Sequence, residues 1–448
     1  MTAMPPKRDP YHLGNSRIFT HEVIDDIHIK SQLGRYRMRG FSLFKKIPTW
    51  DELTFLPGTL TRFVIEGYRE KCLTETVIGP KAKRPLVLDI PIYITGMSFG
   101  ALSYEAKTAL ARGATMAGTA TCSGEGGMIP DERRYSDKWL YQCIQSRYGF
   151  NPNHLRLADG VEFFIGQGCK VGLGGHLMGL KVSDQVAEMR SLPAGIDQRS
   201  PARHPDWLGP DDLALKIDEI REATNGEVPI QLKLGAARVY DDVRMAAKTG
   251  PDSIYIDGME GGTGAGPHVA SEETGVPGIA AIRQARRAIE DVGKSDEISL
   301  IYAGGIRNGA DVAKALALGA DGVAIGHAAM MALNCNKDIP EADYAKELGV
   351  EAGYCYHCHT GRCPVGVATQ DPALRARLNP DEGAERVYNF LHTLTMECQM
   401  MARACGKTNI HSLEPEDLAA LTMEASALAQ VPLAGTQHTV GRPDMHRF

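Results

Sequence analysis

The chain has no apolar run long enough to cross a bilayer, and its first residues, MTAMPPKRDPYHLGNSR, lack the apolar centre of a secretory signal. A basic surplus is also missing. Lys and Arg number 49 against 55 Asp and Glu, and the net charge of −6 argues against a nucleic-acid binder. No G-x-G-x-x-G follows an early strand, so an opening of the Rossmann type is not expected. With no sign of export, the 10 cysteines are expected as reduced thiols in a cytoplasmic protein. Cys72, Cys122, Cys143, Cys169, Cys335, Cys398 and Cys405 are scattered and read as small buried hydrophobes.

What is present is apolar residue in quantity, 43% of 448, enough for one large α/β barrel with flanking helices. Short apolar runs ending in glycine alternate with alanine-rich periodic stretches. IPIYITGMSFG is followed by SYEAKTALARGATMAG, and PIQLKLGAA, DSIYIDGMEGG, SLIYAGGI and GVAIGH come later. Runs of five or six apolar residues without alternation suit strands buried on both faces, and their alternation with helices implies a parallel sheet. The tandem YAGGI…GVAIGH resembles the phosphate cradle of the last two strands of a (β/α)8 barrel, which is the expected fold. GTGAGP at 262–267 opens no obvious helix.

Along the chain, residues 1–16 read as a flexible arm, 17–85 as an N-terminal cap and 86–335 as the barrel. Residues 336–378 form a cysteine-bearing loop region, and 379–448 form C-terminal helices and a tail. FKKIPTWDELTFLPGTLTRF suggests short helices broken by proline. In EGAERVYNFLHTLTMECQMMARACG, Val387, Phe390, Leu391 and Leu394 share a helical face, with Gly406 as the stop. SLEPEDLAALTMEA is expected to start another helix with Ser412 as N-cap.

Four groups of residues carry chemistry. Cys355-x2-Cys358-x4-Cys363-Pro puts three thiols on one loop, a density that serves zinc or iron–sulfur centres, and spacing alone leaves both open. Zinc would need a fourth ligand from His357, His359 or Cys335. The backbone N–H groups of Gly304, Gly305 and Gly326 can hold the phosphate of FMN or of a sugar phosphate. Without a ligand they are ordinary strand-end turns. Lys233, in the apolar run IQLKLG, is costly to bury unless it meets an anion; otherwise its head snorkels to the strand end. Glu125 lies in the glycine-flanked CSGEGG, and Lys170, His176 and Arg190 can receive a dicarboxylate. Singly, each is more often a surface or paired charge.

Taken in order, TGMSFGALSYEA, SGEGG, KLG, GMEGGTGAGP, YAGGI and CHTGRCPVGVATQ resemble the FMN-binding synthase domain of glutamate synthase, from about Leu86 to Gln370. The resemblance implies FMN contacts at Met97, Ser98, Ser123, Gln145, Lys233, Gly261, Gly262, Gly304, Gly305 and Gly326. It implies a 2-oxoglutarate site at Lys170 and Arg190, with His176 where the family usually has glutamine. Glu125 falls on the glutamate that couples the family's two active sites, so Glu125 and Lys233 are the expected catalytic residues. Cys355, Cys358 and Cys363 are implied ligands of a [3Fe-4S] cluster, with [4Fe-4S] as the alternative because Cys355 lies closer to Cys358 than the family's spacing has it. Leu173 stands where the family has glutamate. No cysteine follows closely on Met1 and no glycine-rich β-helix ends the chain. The expectation is therefore one chain of a split enzyme, most similar to the FMN and iron–sulfur subunit of N-methylglutamate synthase. Glutaminase-like and β-helix subunits would be its partners. The implied reaction forms N-methylglutamate from methylamine and glutamate through a 2-oxoglutarate-derived imine. The alternative is a split glutamate synthase using ammonia and 2-oxoglutarate.

Overall fold

The computed structural model describes Leu13 and residues 16–67 and 69–441. The arm expected over residues 1–16 lies outside the described residues except for Leu13 and Ser16. Eight parallel strands form one sheet. In chain order they are β1 (Ile92–Ile94), β2 (Ala120–Cys122), β3 (Lys138–Cys143), β4 (Gly160–Phe164), β5 (Ile230–Gly235), β6 (Ser253–Asp257), β7 (Ser299–Ala303) and β8 (Gly322–Ile325). Each strand from β2 onward pairs with its successor, and β8 pairs with β1. Only the β1–β2 seam lacks a ladder, so the sheet is a nearly closed TIM barrel. The strands are buried almost throughout, which is why they read as unbroken apolar runs.

The barrel interior is closed from below. A hairpin of Thr76–Ile78 and Leu86–Leu88 packs Ile78, Leu86 and Leu88 against the inward-facing Tyr93, Tyr255 and Ile301. Ser299, at the N-terminal end of β7, holds that hairpin by accepting the Gly79 N–H and donating to the Val77 carbonyl. Above this plug sits a buried polar layer. Glu162 accepts from Gln142 Nε2 at 2.6 Å and Gln231 Nε2 at 2.7 Å, and Gln231 also reaches the Tyr93 hydroxyl. Every member has a partner, so the layer is tolerated inside the core.

Outside the strands, the 25-residue helix Pro380–Ala404 packs on Tyr104–Met116 and Gly309–Ala317, burying Val387, Leu391 and Leu394. It ends at Ala404 with Gly406 at φ 79°. Phe390 on the same helix is only half-buried because it borders the central cavity. The chain before the barrel is less helical than its sequence suggests. After helix His21–Leu33, FKKIPTWDELTFLPGTLTRF forms a single 3-10 turn, Trp50–Glu52, closed by a Thr49/Glu52 capping box, and then a strand, Leu53–Phe55. That strand pairs with Leu418–Ala420, which corrects the helix expected from Ser412. Ser412 instead ends a 3-10 turn capped by Asn409, and the helix Met423–Ala429 begins only after its N-cap Thr422. Pairing with Leu53–Phe55 satisfies the backbone of a segment whose side chains are buried, and this tertiary gain overrides local helix preference. GTGAGP also differs from expectation. Thr263–Pro267 is a strand paired antiparallel with Met38–Phe41, and a short helix, His268–Glu273, follows it.

The helix contact at Gly113 supplies a test. A Cβ there would stand 2.7 Å from Val387 Cβ and 2.8 Å from the Ala384 carbonyl. Helix propensity alone would make Gly113→Ala stabilising by about 1 kcal/mol, but overpacking against neighbouring backbone should reverse the sign. We expect a net loss of about 1–3 kcal/mol in urea unfolding; a gain would mean the two helices are free to separate.

Candidate active site

The C-terminal ends of the strands open into a cavity of about 1130 Å³, at the mouth where barrels of this type carry their sites. Each strand end contributes. Thr95, Gly96, Met97 and Ser98 follow β1, Lys233 comes from β5, and Tyr255 and Asp257 come from β6. Gly304 and Gly305 follow β7 at φ 125° and 66°, conformations that favour glycine. Gly326 follows β8. One wall is the segment from Phe41 to Ile47, held by the ladder to Thr263–Pro267. Phe41 stacks on His327, ring centroids 4.2 Å apart, and the imidazole fills the space a Cβ on Gly262 would need.

Three lysines define the electrostatics. Lys170, Lys181 and Lys233 are 4%, 2% and 4% exposed, and all three border the cavity. Lys233 Nζ donates to Thr95 Oγ1 at 3.0 Å and lies 4.3 Å over the Tyr255 ring. Lys170 Nζ donates to the Ala265 carbonyl at 3.3 Å. Lys181 Nζ donates to the carbonyls of Ala101, at 2.7 Å, and Cys358, at 2.9 Å. Burial pulls the pKa of Lys170 down and that of Lys181 down to about 8. Among the described residues none of the three has a carboxylate within ion-pair distance, whereas the equally buried Lys107 has Glu132 at 2.7 Å. Burial also pushes the cavity acids Asp257 up to about 6 and Glu260 up to about 7. Unpaired buried ammonium groups cost several kcal/mol each, so a cavity lined by three of them is built to receive anions.

The sequence-derived residues divide into two sets. Met97, Ser98, Glu125, Lys170, His176, Lys233, Gly261, Gly262, Gly304, Gly305 and Gly326 all border the cavity. His176 is held by Asp197 at 2.8 Å, and Glu125 accepts from the Ser200 hydroxyl. Ser123, Gln145 and Arg190 do not border it. Ser123 donates to the Gly124 carbonyl and accepts the Gln142 N–H, tying β2 to β3. Gln145 lies beyond the end of β3 and donates to the Ile165 carbonyl; Gln142, within the strand, is the glutamine that reaches the cavity. Arg190 spends its guanidinium on Gln198 Oε1 and on the carbonyls of Phe99 and Glu125. It therefore props the Glu125 loop, while its buried Nε has no hydrogen-bond partner among the described residues.

Cys355, Cys358 and Cys363 face one enclosed, mostly apolar space of about 10 Å³, and Cys335 borders it too. The sequence reading that placed Cys335 among the scattered cysteines is corrected here. Asn336, beside it at φ 62°, accepts the Cys355 N–H at 2.8 Å and donates to the Cys355 carbonyl at 3.0 Å. These two bonds stitch the Cys335 turn to the cysteine loop. Among the described residues no three His, Cys, Asp or Glu side chains are arranged to hold a single metal ion. Four cysteines free of disulfides around one enclosed space are, by donor type, a set that an iron–sulfur centre could use. Asp257, Glu260 and His327 were missed in the sequence, and Cys335 was named there only as one possible fourth ligand for zinc. Only His327, next to Gly326, carried a local signal.

Comparison with known proteins follows this geometry. A family model described as the conserved region in glutamate synthase matches residues 51–408. A glutamate synthase large subunit-like protein of Rhizobium meliloti is 52% identical over 428 residues, covering 95% of this chain and 97% of its own. An archaeal-type glutamate synthase [NADPH] of Dehalococcoides mccartyi is 34% identical, covering 92% and 82%. Among solved structures, a lactate oxidase of Pediococcus acidilactici shares the barrel with a TM-score of 0.52 at 16% identity, covering 86% and 89%. At that identity the likeness concerns the fold alone.

Glu260 provides a pH test. Both its oxygens accept the Gly278 N–H at 3.0 Å, and burial raises its pKa from 4.5 to about 7. A carboxyl whose folded pKa is raised contributes stability that is present below its unfolded pKa and lost as pH rises through the folded one. The wild type should therefore lose on the order of 2–3 kcal/mol relative to Glu260→Gln between about pH 4.5 and 7.5. Urea unfolding across that range checks this. Parallel pH profiles would show that Glu260 does not titrate as its burial requires.

Proposed function

The chain belongs to the glutamate synthase family, and from that premise we propose that it is an FMN-dependent synthase subunit that converts a 2-oxo dicarboxylate and an amine into an amino acid. One observation carries this reading: three buried ammonium groups with no carboxylate at ion-pair distance among the described residues border a single cavity at the barrel mouth. A flavin phosphate and a dicarboxylate are anions of the kind such a cavity stabilises. The glycine turns after β7 and β8 would hold the phosphate through backbone N–H groups, beside Met97 and Ser98. Lys233 would stand against the flavin's electron-rich edge. Bound there, FMN would supply hydride transfer.

The chain's own groups orient the substrate. Lys170 takes a carboxylate, and His176, aimed by Asp197, offers the second polar contact. Glu125, propped by Arg190 from behind, sits where an amine enters. Condensation of the keto carbon with the amine releases water, and a hydride plus a proton then convert the imine to the product. In the reading we favour, the amine is methylamine, as in N-methylglutamate synthase. Oxidation of glutamate to 2-oxoglutarate and ammonia would supply the two electrons that reduce the methylamine-derived imine, so glutamate and methylamine would become N-methylglutamate and ammonia with no net redox change. The second reading takes 2-oxoglutarate and ammonia to glutamate with two electrons from an external donor of the reduced-nicotinamide class, and the relative called an archaeal-type glutamate synthase [NADPH] supports it. Glutaminase-like and β-helix subunits complete the proposal, and co-purification with a tagged form of this chain tests them. The cysteines would hold an iron–sulfur centre. Three suffice for [3Fe-4S], and the fourth, Cys335, would complete [4Fe-4S].

Three measurements follow. Purified complex given each amine should incorporate methylamine, read by mass spectrometry; turnover with ammonia alone moves the assignment to the second reading. Lys233→Met should weaken flavin retention about tenfold, equivalent to about 1.4 kcal/mol, and unchanged flavin content would remove Lys233 from the flavin site. Cys335→Ser should lower the iron content, because its sulfur faces the same space as the other three. Unaltered iron and EPR signals would leave Cys355, Cys358 and Cys363 as the complete ligand set.

A further inference from the structure

We propose that Lys181 is the fixed counter-charge of the cysteine centre, raising that centre's reduction potential and joining it to the wall of the active-site cavity; this rests on the iron–sulfur reading above. Lys181 belongs to a 3-10 turn, Gly179–Lys181, that contributes nothing else to the cavity's chemistry. Its side chain is 2% exposed, yet it meets only uncharged oxygens. One is the carbonyl of Cys358, itself one of the four cysteines around the enclosed space. The other is the carbonyl of Ala101, on the loop after β1 that carries Met97 and Ser98. The cysteine loop also packs on the aliphatic stem: a Cβ on Gly361 would stand 3.1 Å from Lys181 Cγ.

Lys107, buried to a similar degree, donates to the carbonyls of Met97, Cys122 and Ser123 and is neutralised by Glu132 as well. Lys181 has no such partner among the described residues, and the groups near it that can become anionic are Cys358 and Cys363. Thiolates carrying an iron–sulfide core supply the missing negative charge. One-electron reduction adds one more negative charge to that core, which a neighbouring cation favours over the oxidised state. In a water-excluded setting this attraction is weakly screened.

The experiment is a mediated redox titration of the purified complex, following the iron–sulfur EPR signal and, separately, the flavin absorbance. Lys181→Gln keeps hydrogen-bond donors for both carbonyls but loses the charge, and should shift the iron–sulfur midpoint to lower potential at unchanged iron content. Lys181→Arg keeps the charge and should stay near the wild-type value. An unshifted midpoint in Lys181→Gln, or equal shifts in both variants, overturns the proposal. Loss of iron from both variants would make Lys181 a strut of the loop and overturn it as well. If the wild-type complex itself holds no iron and sulfide, the iron–sulfur reading fails first, and the inference falls with it.

Discussion

A buried ammonium without a carboxylate is the constraint on which the rest of this site depends. Lys170, Lys181 and Lys233 come from different loops and strands, yet each ends at the same cavity, bonded to carbonyls or a hydroxyl and, among the described residues, with no carboxylate at ion-pair distance. Such groups persist only where something else repays their desolvation. The protein can pair a buried lysine when it needs to, as Lys107 and Glu132 demonstrate. Of the four acids that line the cavity, Glu52, Glu125, Asp257 and Glu260, the last two are pushed upward by burial, so they offset less of the positive charge than exposed carboxylates would.

The barrel supports this arrangement by being asymmetric. Its lower end is filled by the Thr76–Ile78 and Leu86–Leu88 hairpin and by the satisfied layer around Glu162. Its upper end is kept open, walled by Phe41 to Ile47 on one side and by the cysteine loop on another. Lys181 joins that loop to the first βα connection, so the cysteine-lined space and the cavity share a side chain as a common wall. The same barrel serves oxidases of hydroxy acids, so the fold leaves the chemistry open. The distinguishing features lie at the C-terminal ends of the strands, as with Lys233, and on the loops above them.

Much of this was legible in order along the chain. Buried strands announce themselves as short apolar runs because both faces are covered, and Gly304 and Gly305 after β7 mark a turn that needs positive φ. The cysteine loop is compact enough to be read locally. Arg190 suits a carboxylate by its type, but which way a side chain points off a helix end depends on what packs around it. Here Phe99, Glu125 and Gln198 claim it. Ser412 misled because capping preference is local, whereas pairing with Leu53–Phe55 is not.

The sequence by itself determined the barrel, the glycine turns at its mouth, the strand lysine and the three-cysteine loop, since each is written in the period or spacing of neighbouring residues. Only the tertiary structure decided that Cys335 joins that loop, that Arg190 stands behind Glu125, and that Lys181 spans two walls. Those facts depend on segments far apart in the chain meeting in space, where long-range packing and the cost of burying charge outweigh any local preference.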